Sequence, residues 1–283
     1  MRCYLCGKQR FTKRPGQVRD RAELDVLECQ ECGLVCLSSF AHITEGFYEG
    51  SGMHAEPVAI ADWIRETAVD DQRRFETLRP LLVNKSLLDF GCGNGGFLER
   101  ARQVTQTAIG VEPEARLQPY FQTRRLPVYT NLAEADQLFE VITLFHVLEH
   151  LPEPVVILQQ LTKKLTAQGC LIIEVPNAND ALLTLYQSGA FADFTYWSCH
   201  LFLYNAATLT ALAKKAGLKV NFLQHIQRYP LSNHLHWLAK SRPGGHLHWS
   251  FLDSPELRAA YESRLAALGC SDTIFAGFGV NDV

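Results

Sequence analysis

Four groups of residues in this 283-residue chain have the type and spacing to do chemistry. Gly91, Gly93, Gly95 and Gly96 form a tight run just behind Asp89. Glycines let a backbone approach a ligand closely, and a strand–glycine turn–helix unit aims free N–H groups at a nucleotide-type cofactor. Cys3, Cys6, Cys29 and Cys32 form two Cys-x-x-Cys pairs, each closed by a glycine, Gly7 and Gly33. Four thiolates at this spacing suit tetrahedral zinc, and with no position left open the ion would be structural. Glu149, His150 and His200 are candidate general bases, since histidine titrates near neutrality. The tetrad His-Leu-His-Trp occurs at 234 and again at 246, near Tyr229 and a Pro-Gly-Gly turn. If extended, it would place His234 and His236 on one face beside Trp237, suited to stacking against an acceptor.

Elements must position these residues. Residues 1–40 read as a zinc-ribbon-like unit, too small to hold much core without its metal. Residues 41–57 are a glycine- and aromatic-rich linker or lid that carries Tyr48 and His54. A helical pattern runs from Val58 to Leu82, with Pro80 marking its end. Strands and helices then alternate: strands at 87–90, 108–111, 127–129, 141–145 and 170–175, with helices between them. Such alternation specifies an α/β fold, a doubly wound, mostly parallel sheet covered on both faces. Ligands of such sheets sit at the carboxyl ends of the strands, near the point where strand order reverses. The cofactor-binding region is expected over 58–226. Residues 227–283 form a C-terminal extension, assigned to acceptor recognition, with an aromatic loop upstream at 191–197, a helix after Ser254-Pro255 and a last strand near 272–278.

Composition bounds the partners. Net charge is −3 and 47% of residues are apolar. No bulk basic signal points to nucleic acid, although Lys8, Arg10, Lys13, Arg14, Arg19 and Arg21 would give the ribbon a basic face. Apolar runs are far shorter than a membrane span, and no signal-peptide pattern opens the chain, so a cytoplasmic protein is expected.

The glycine pattern alone does not choose a cofactor. Glu112, 21 residues past Gly91, ends the second strand where an acid can bind ribose hydroxyls. The fourth strand runs into Phe-His146-Val-Leu-Glu149-His150-Leu-Pro-Glu-Pro. With the stretch Leu-Leu-Asp-Phe-Gly-Cys-Gly-Asn-Gly-Gly-Phe-Leu and the later Leu-Ile-Ile-Glu-Val-Pro-Asn, the sequence resembles class I S-adenosylmethionine-dependent methyltransferases over roughly residues 75–225. The cysteine pairs further resemble those of methyltransferases acting on nucleotide-linked or surface-polysaccharide sugars. That subgroup often carries an acid just before the histidine at 200, where this chain has Cys199.

The resemblance implies that Gly91, Cys92 and Gly93 line the methionine part of the donor and that Asp89 holds its amino group. It implies Glu112 on the ribose, Pro113, Asn131 and Leu132 at the adenine, and His146 near the methionine end. The expected acceptor is a small molecule, a sugar or nucleotide-sugar, met by Tyr48, His54, Tyr229, His234, His236 and Trp237. Some RNA 3′-end methyltransferases of this fold bind magnesium through a Glu-x-x-Glu-His set and a distant histidine. Here His146 stands at the first position, and nitrogen-rich sites suit magnesium poorly. An RNA methyltransferase and a non-catalytic scaffold with a relic fold are the competing expectations.

Overall fold

Residues 86–90 begin a run of apolar side chains that only a fully covered strand can accommodate, and they form the centre of the sheet. The computed structural model describes residues 1–50, 53 and 58–280. In chain order the main elements are β1 (Phe11–Lys13), β2 (Val26–Cys29), β3 (Val35–Leu37), α1 (Ile60–Leu82), β4 (Ser86–Phe90), α2 (Gly96–Ala101), β5 (Thr107–Val111), α3 (Gln118–Arg124), β6 (Val128–Tyr129), β7 (Phe139–Phe145), α4 (Pro154–Thr162) and β8 (Leu165–Pro176). They continue with α5 (Ala181–Thr184), α6 (Gly189–Thr195), β9 (Phe202–Leu203), α7 (Ala206–Lys215), β10 (Leu218–Ile226), α8 (Leu231–Lys240), α9 (Gly245–His248), α10 (Pro255–Leu268) and β11 (Thr273–Val280).

Seven strands form one sheet in the order β10-β11-β8-β7-β4-β5-β6. From β8 to β6 all pairings are parallel. β11 lies antiparallel between β8 and β10. The chain moves outward from β4 through β5 to β6, then returns to the other side of β4 as β7. Strand order therefore reverses at β4, and the crevice falls at the carboxyl ends of β4 and β7. Leu87, Leu88, Ile142, Leu144, Ile172 and Ile173 have no exposed surface, as residues covered on both faces require.

Four expectations change. The helix over 60–82 passes through Pro80 by two residues, because proline in a last turn leaves the upstream hydrogen bonds intact. Residues 189–195 form α6 rather than a loop, with Ser188 accepting a hydrogen bond from the Phe191 N–H. The first His-Leu-His-Trp copy is helical, within α8, so His234 and His236 do not share the face an extended chain would give them. The central sheet also runs across the expected boundary at 226, since β11 comes from the stretch read as an extension.

The ribbon is joined to the rest by hydrogen-bonded backbone. β1, β2 and β3 form an antiparallel sheet, and β3 pairs with β9, matching Val35 with Leu203 and Cys36 with Phe202. One apolar core contains both Val26, Leu34 and Val35 of the ribbon and Leu201, Phe202 and Tyr204 beyond it.

Candidate functional site

A cavity of about 450 Å³ opens at the carboxyl ends of β4, β5 and β7, within the size range of small-ligand sites. Asp89, Gly91, Cys92, Gly93, Glu112, Pro113 and His146 line it, together with Tyr48 and His150. Close packing explains two of the glycines. A Cβ on Gly91 would lie 2.4 Å from a Val147 methyl, and one on Gly93 would press on the Trp63 ring at 3.2 Å. Both residues have positive φ, 72° and 54°, which L side chains rarely adopt.

Two carboxylates face this turn. The Glu112 carboxylate accepts hydrogen bonds from the N–H groups of Gly93 (2.9 Å) and Glu114 (3.1 Å). Asp89 accepts one from the Thr143 hydroxyl at 2.7 Å. Burial pushes each acid up to about 7, against the pull of those hydrogen bonds. A carboxylate offers about four lone-pair sites, so Glu112 keeps capacity for two further donors and Asp89 keeps at least one. A ribose diol and an ammonium group supply donors of that kind. The cradle therefore fits a nucleoside joined to an amino acid.

Asn131 and Leu132 lie elsewhere. Neither lines the cavity. Asn131 caps a short helical turn, its side chain accepting from the Ala133 N–H while Glu134 accepts from the Asn131 N–H. His54 lies outside the described residues. The residues that spacing did not reveal are on α1 and after β10: Trp63, Glu66, Thr67, Asp70, Asp71, Arg74 and Arg228 all line the cavity. Their sequence signal was a dense charge cluster, Asp70-Asp71-Gln72-Arg73-Arg74, which reads equally well as a solvated helix face.

That cluster instead encloses buried Glu174 of β8. Arg74 donates to Glu174 at 2.6 Å and Arg73 at 2.9 Å. His146 Nε2 lies 3.3 Å from the same carboxylate, and Arg228 pairs with Asp70 at 3.1 Å. Burial disfavours the Glu174 charge, but His146 and the two arginines outweigh it and hold the carboxyl well below its usual range.

His146 stands at positive φ (56°), with its N–H donating to the Glu174 carbonyl. Its Nδ1 lies 3.2 Å from Glu149 Oε1. Burial lowers the His146 pKa, but the two carboxylates more than reverse this and raise it. His150 donates from Nδ1 to the Cys199 carbonyl at 2.8 Å, while Tyr48 donates its hydroxyl to the His150 carbonyl at 2.6 Å. His200 packs behind His150, their rings tilted with centroids 5.1 Å apart, and does not itself line the large cavity. Burial pushes His200 down to about 3, helped by neighbouring His150, so its ring is neutral.

Tyr229, His234, His236 and Trp237 do not line this cavity. His234 Nδ1 is 2.7 Å from the Tyr261 hydroxyl, and His236 Nδ1 bonds the Arg242 carbonyl at 2.9 Å. Trp237 packs on Phe191 and Phe194. On α8, Trp237 packs toward α6 and His234 toward α10, while His236 meets His248 and Trp249; Tyr229 precedes the helix and is exposed. Among the described residues of this region, Arg228 is the one that lines the cavity.

At the other end of the chain, the sulfurs of Cys3, Cys6, Cys29 and Cys32 lie within 4.8 Å of one another, with Cys3–Cys32 at 3.5 Å and Cys6–Cys29 at 3.6 Å. Thiolates on tetrahedral zinc, bonded at about 2.3 Å, stand about 3.8 Å apart, so the donor set fits that ion. The Gly7 and Gly33 N–H groups donate to the Cys3 and Cys29 carbonyls, closing each knuckle. The ribbon's basic face is largely neutralised: Arg10 pairs with Glu31, Lys13 with Asp25, Arg14 with Glu28 and Arg21 with Glu23.

The family model described as "Methyltransferase domain" matches residues 61–223, more than half of the chain. The chain belongs to this methyltransferase family, and the glycine cradle after β4 lies within the matched residues. Among curated relatives, it is 28% identical over 137 residues to the ubiquinone biosynthesis O-methyltransferase of Psychrobacter cryohalolentis, covering 42% of this chain and 52% of that one. It is 26% identical over 204 residues to the enzyme of the same name from Stutzerimonas stutzeri, covering 63% and 87%. The chain thus spans about half the length of the first of these relatives. In fold it is similar to a possible histamine N-methyltransferase from Thermotoga maritima, with a TM-score of 0.51 and 17% identity, covering 78% of this chain and 96% of that one. Among the described residues no helix is long and apolar enough to cross a membrane.

Proposed function

We propose that this enzyme methylates a hydroxyl of a polar small molecule, with a nucleotide-linked or surface-polysaccharide sugar as the first candidate, and that its ribbon holds structural zinc. One observation carries the acceptor class. The cavity wall that α1 and the segment after β10 present is charged, with Glu66, Asp70, Asp71, Arg74 and Arg228 lining the same space as His146 and His150. Such a wall suits hydroxyl-rich acceptors. The names of the curated relatives favour a second reading, a quinol-type aromatic acceptor, which this wall suits less well.

S-adenosylmethionine, when bound, supplies a methyl group already activated on a sulfonium. The chain's own residues then position the partners, which is where much of the rate comes from when the donor is activated. Asp89 and Glu112 would hold the donor's amino group and ribose, with Pro113 beside the adenine. His146 and His150 meet the acceptor side, with buried Glu149 behind His146 fixing its ring. A hydroxyl acceptor loses its proton, and His150, which lines the cavity with Glu149 and His200 behind it, is the candidate base. The paired cations of the ribbon speak against an RNA acceptor, since few remain to neutralise phosphates.

Labelled S-adenosylmethionine offered with a panel of nucleotide-sugars and a panel of dihydroxybenzenes tests the reading. Label in a nucleotide-sugar is expected. Label only in the aromatic panel would support the second reading, and label only in added RNA would sink both.

The raised acids make donor binding depend on pH. In the empty protein Asp89 and Glu112 hold protons that the unfolded chain gives up between about pH 4 and 7, so its stability falls as pH rises through that window. An ammonium and a ribose diol both prefer carboxylate partners. Donor affinity is therefore expected to rise from about pH 6 to 8, with proton release near pH 6.5. Calorimetry in buffers of different ionisation enthalpy measures this directly. Proton uptake, or none, would contradict the assignment of these two acids.

A further inference from the structure

A second cavity of about 450 Å³ lies beside the first, lined by α1, α10 and the end of β10. Asp70 and Arg228 line both cavities, so the ion pair between them, at 3.1 Å, stands where the two spaces meet. None of the residues proposed to hold the donor lines the second space. A nucleoside joined to an amino acid is a drug-sized ligand, and a cavity of this size encloses about one such molecule. The donor therefore occupies most of the first cavity. Room remains there for the reacting end of an acceptor, and the adjoining space for the rest of it is the second cavity.

The junction is firmly held. The Asp272 carboxylate accepts from the Gln227 side chain at 3.0 Å and from the Arg228 and Tyr229 N–H groups at 2.9 and 3.2 Å. One acid thus anchors the turn that carries Arg228. Around the second cavity, α1 contributes Asp70 and Arg73, and α10 contributes Arg258 and Glu262. With Arg228, three guanidinium groups meet two carboxylates there. Glu174 and Asp272, which face Arg73 and Arg228 from behind, do not line the space. Arg258 engages Glu262 through Nε, at 2.7 Å, in a half-exposed pair of the kind that contributes little and exchanges readily. Arg73 Nη1 has no hydrogen-bond partner among the described residues. Guanidinium nitrogens are donors only, and their fork matches phosphate oxygens. Beside these cations, Val69, Ile226, Ala259 and Ala266 supply apolar surface, with Val69 81% exposed. Cations next to an apolar strip match a ligand with phosphates in one part and a flat ring in another.

We propose that the second cavity binds the nucleoside diphosphate half of the acceptor, while the sugar reaches past the Asp70–Arg228 pair toward the donor. Arg228 and Arg258 meet the phosphates, and Val69, Ala259 and Ala266 meet the base. The sugar's place beside the donor rests on the acceptor reading given above. Binding of a nucleoside diphosphate to this cavity does not depend on transfer.

The test titrates uridine, thymidine and guanosine diphosphates in turn into full-length protein saturated with S-adenosylhomocysteine, followed by calorimetry. At least one is expected to bind, less tightly as salt rises. Arg258→Ala should weaken that binding about 10-fold. Ala259→Trp fills the cavity from an exposed helix position, which spares the fold, and should abolish the binding. Neither substitution should alter affinity for S-adenosylhomocysteine. With labelled donor, Ala259→Trp should raise KM for the matching nucleotide-sugar and leave kcat little changed. No nucleoside diphosphate bound at millimolar concentration, or equal binding by all three proteins, would overturn the site. Transfer to a nucleotide-sugar with an unchanged KM in Ala259→Trp would overturn the site and keep the acceptor reading. Nucleoside diphosphate binding that both substitutions weaken, with no transfer to any nucleotide-sugar, would keep the site and sink the acceptor reading.

Discussion

Replacing Glu112 with alanine is expected to weaken S-adenosylmethionine binding about 100-fold while leaving the fold intact. Hydrogen bonds to a charged group contribute about 1.5 to 3 kcal/mol each, and two ribose hydroxyls would meet this one carboxylate. A net loss of about 3 kcal/mol corresponds to about 100-fold in Kd. The fold should survive because the Glu112 charge is itself disfavoured: burial holds its pKa near 7, so removing it relieves desolvation even as the N–H groups of Gly93 and Glu114 lose their acceptor. Glu112→Gln separates charge from geometry, since it keeps one acceptor oxygen, and it should fall between the two. Calorimetry with circular dichroism on the same samples reads both quantities. Equal affinity in wild type and Glu112→Ala would show that the donor does not use this acid.

Loss of the zinc proposed for the ribbon should have the second large effect. In small units with four-ligand zinc sites the ion supplies on the order of 10 kcal/mol of folding free energy. Residues 1–37 hold few elements of their own, three short strands and the cysteine knuckles. Yet they grip the segment that carries His200. Asp20 accepts hydrogen bonds from both the Ser198 N–H and hydroxyl, at 3.0 and 2.6 Å. Leu37 donates to the Leu201 carbonyl, and just beyond the ribbon His42 Nε2 lies 2.7 Å from the Ser198 carbonyl. The Arg19 guanidinium covers the Trp197 ring at 4.7 Å. A Cys6→Ser variant is expected to lose its zinc. Amide exchange should then rise by orders of magnitude in β2, β3 and residues 198–203, but not in β4. Donor binding should persist, because the residues proposed to hold the donor follow β4 and β5. Wild-type protein containing no zinc, or exchange unchanged in 198–203, would refute this coupling.

Much of this arrangement was legible in the sequence because it is local. The glycine run after Asp89, the acid ending the next strand and the paired cysteines depend on spacing within a few residues, and chain geometry converts such spacing into position. What was not legible depends on tertiary packing. Nothing in Glu174 marks it as the buried partner of Arg73 and Arg74, 101 and 100 residues away. Asn131 had the right type for an adenine contact, but capping a helical turn is the commoner use of asparagine there, and it prevailed. His234 and His236 misled because alternation implies a shared face only in an extended strand, and the stretch forms a helix with Trp237 and His236 turned inward. The role of the ribbon was hidden for a similar reason, since β3 finds its partner β9 far along the chain.

The most direct test of the central claim is a crystal structure with S-adenosylhomocysteine. The predicted result has its ribose hydroxyls on the Glu112 carboxylate, its amino group on Asp89 directly or through one water, and its sulfur toward His146. A ligand bound outside this cavity, or one whose ribose makes no contact with Glu112, would contradict the assignment of the cradle.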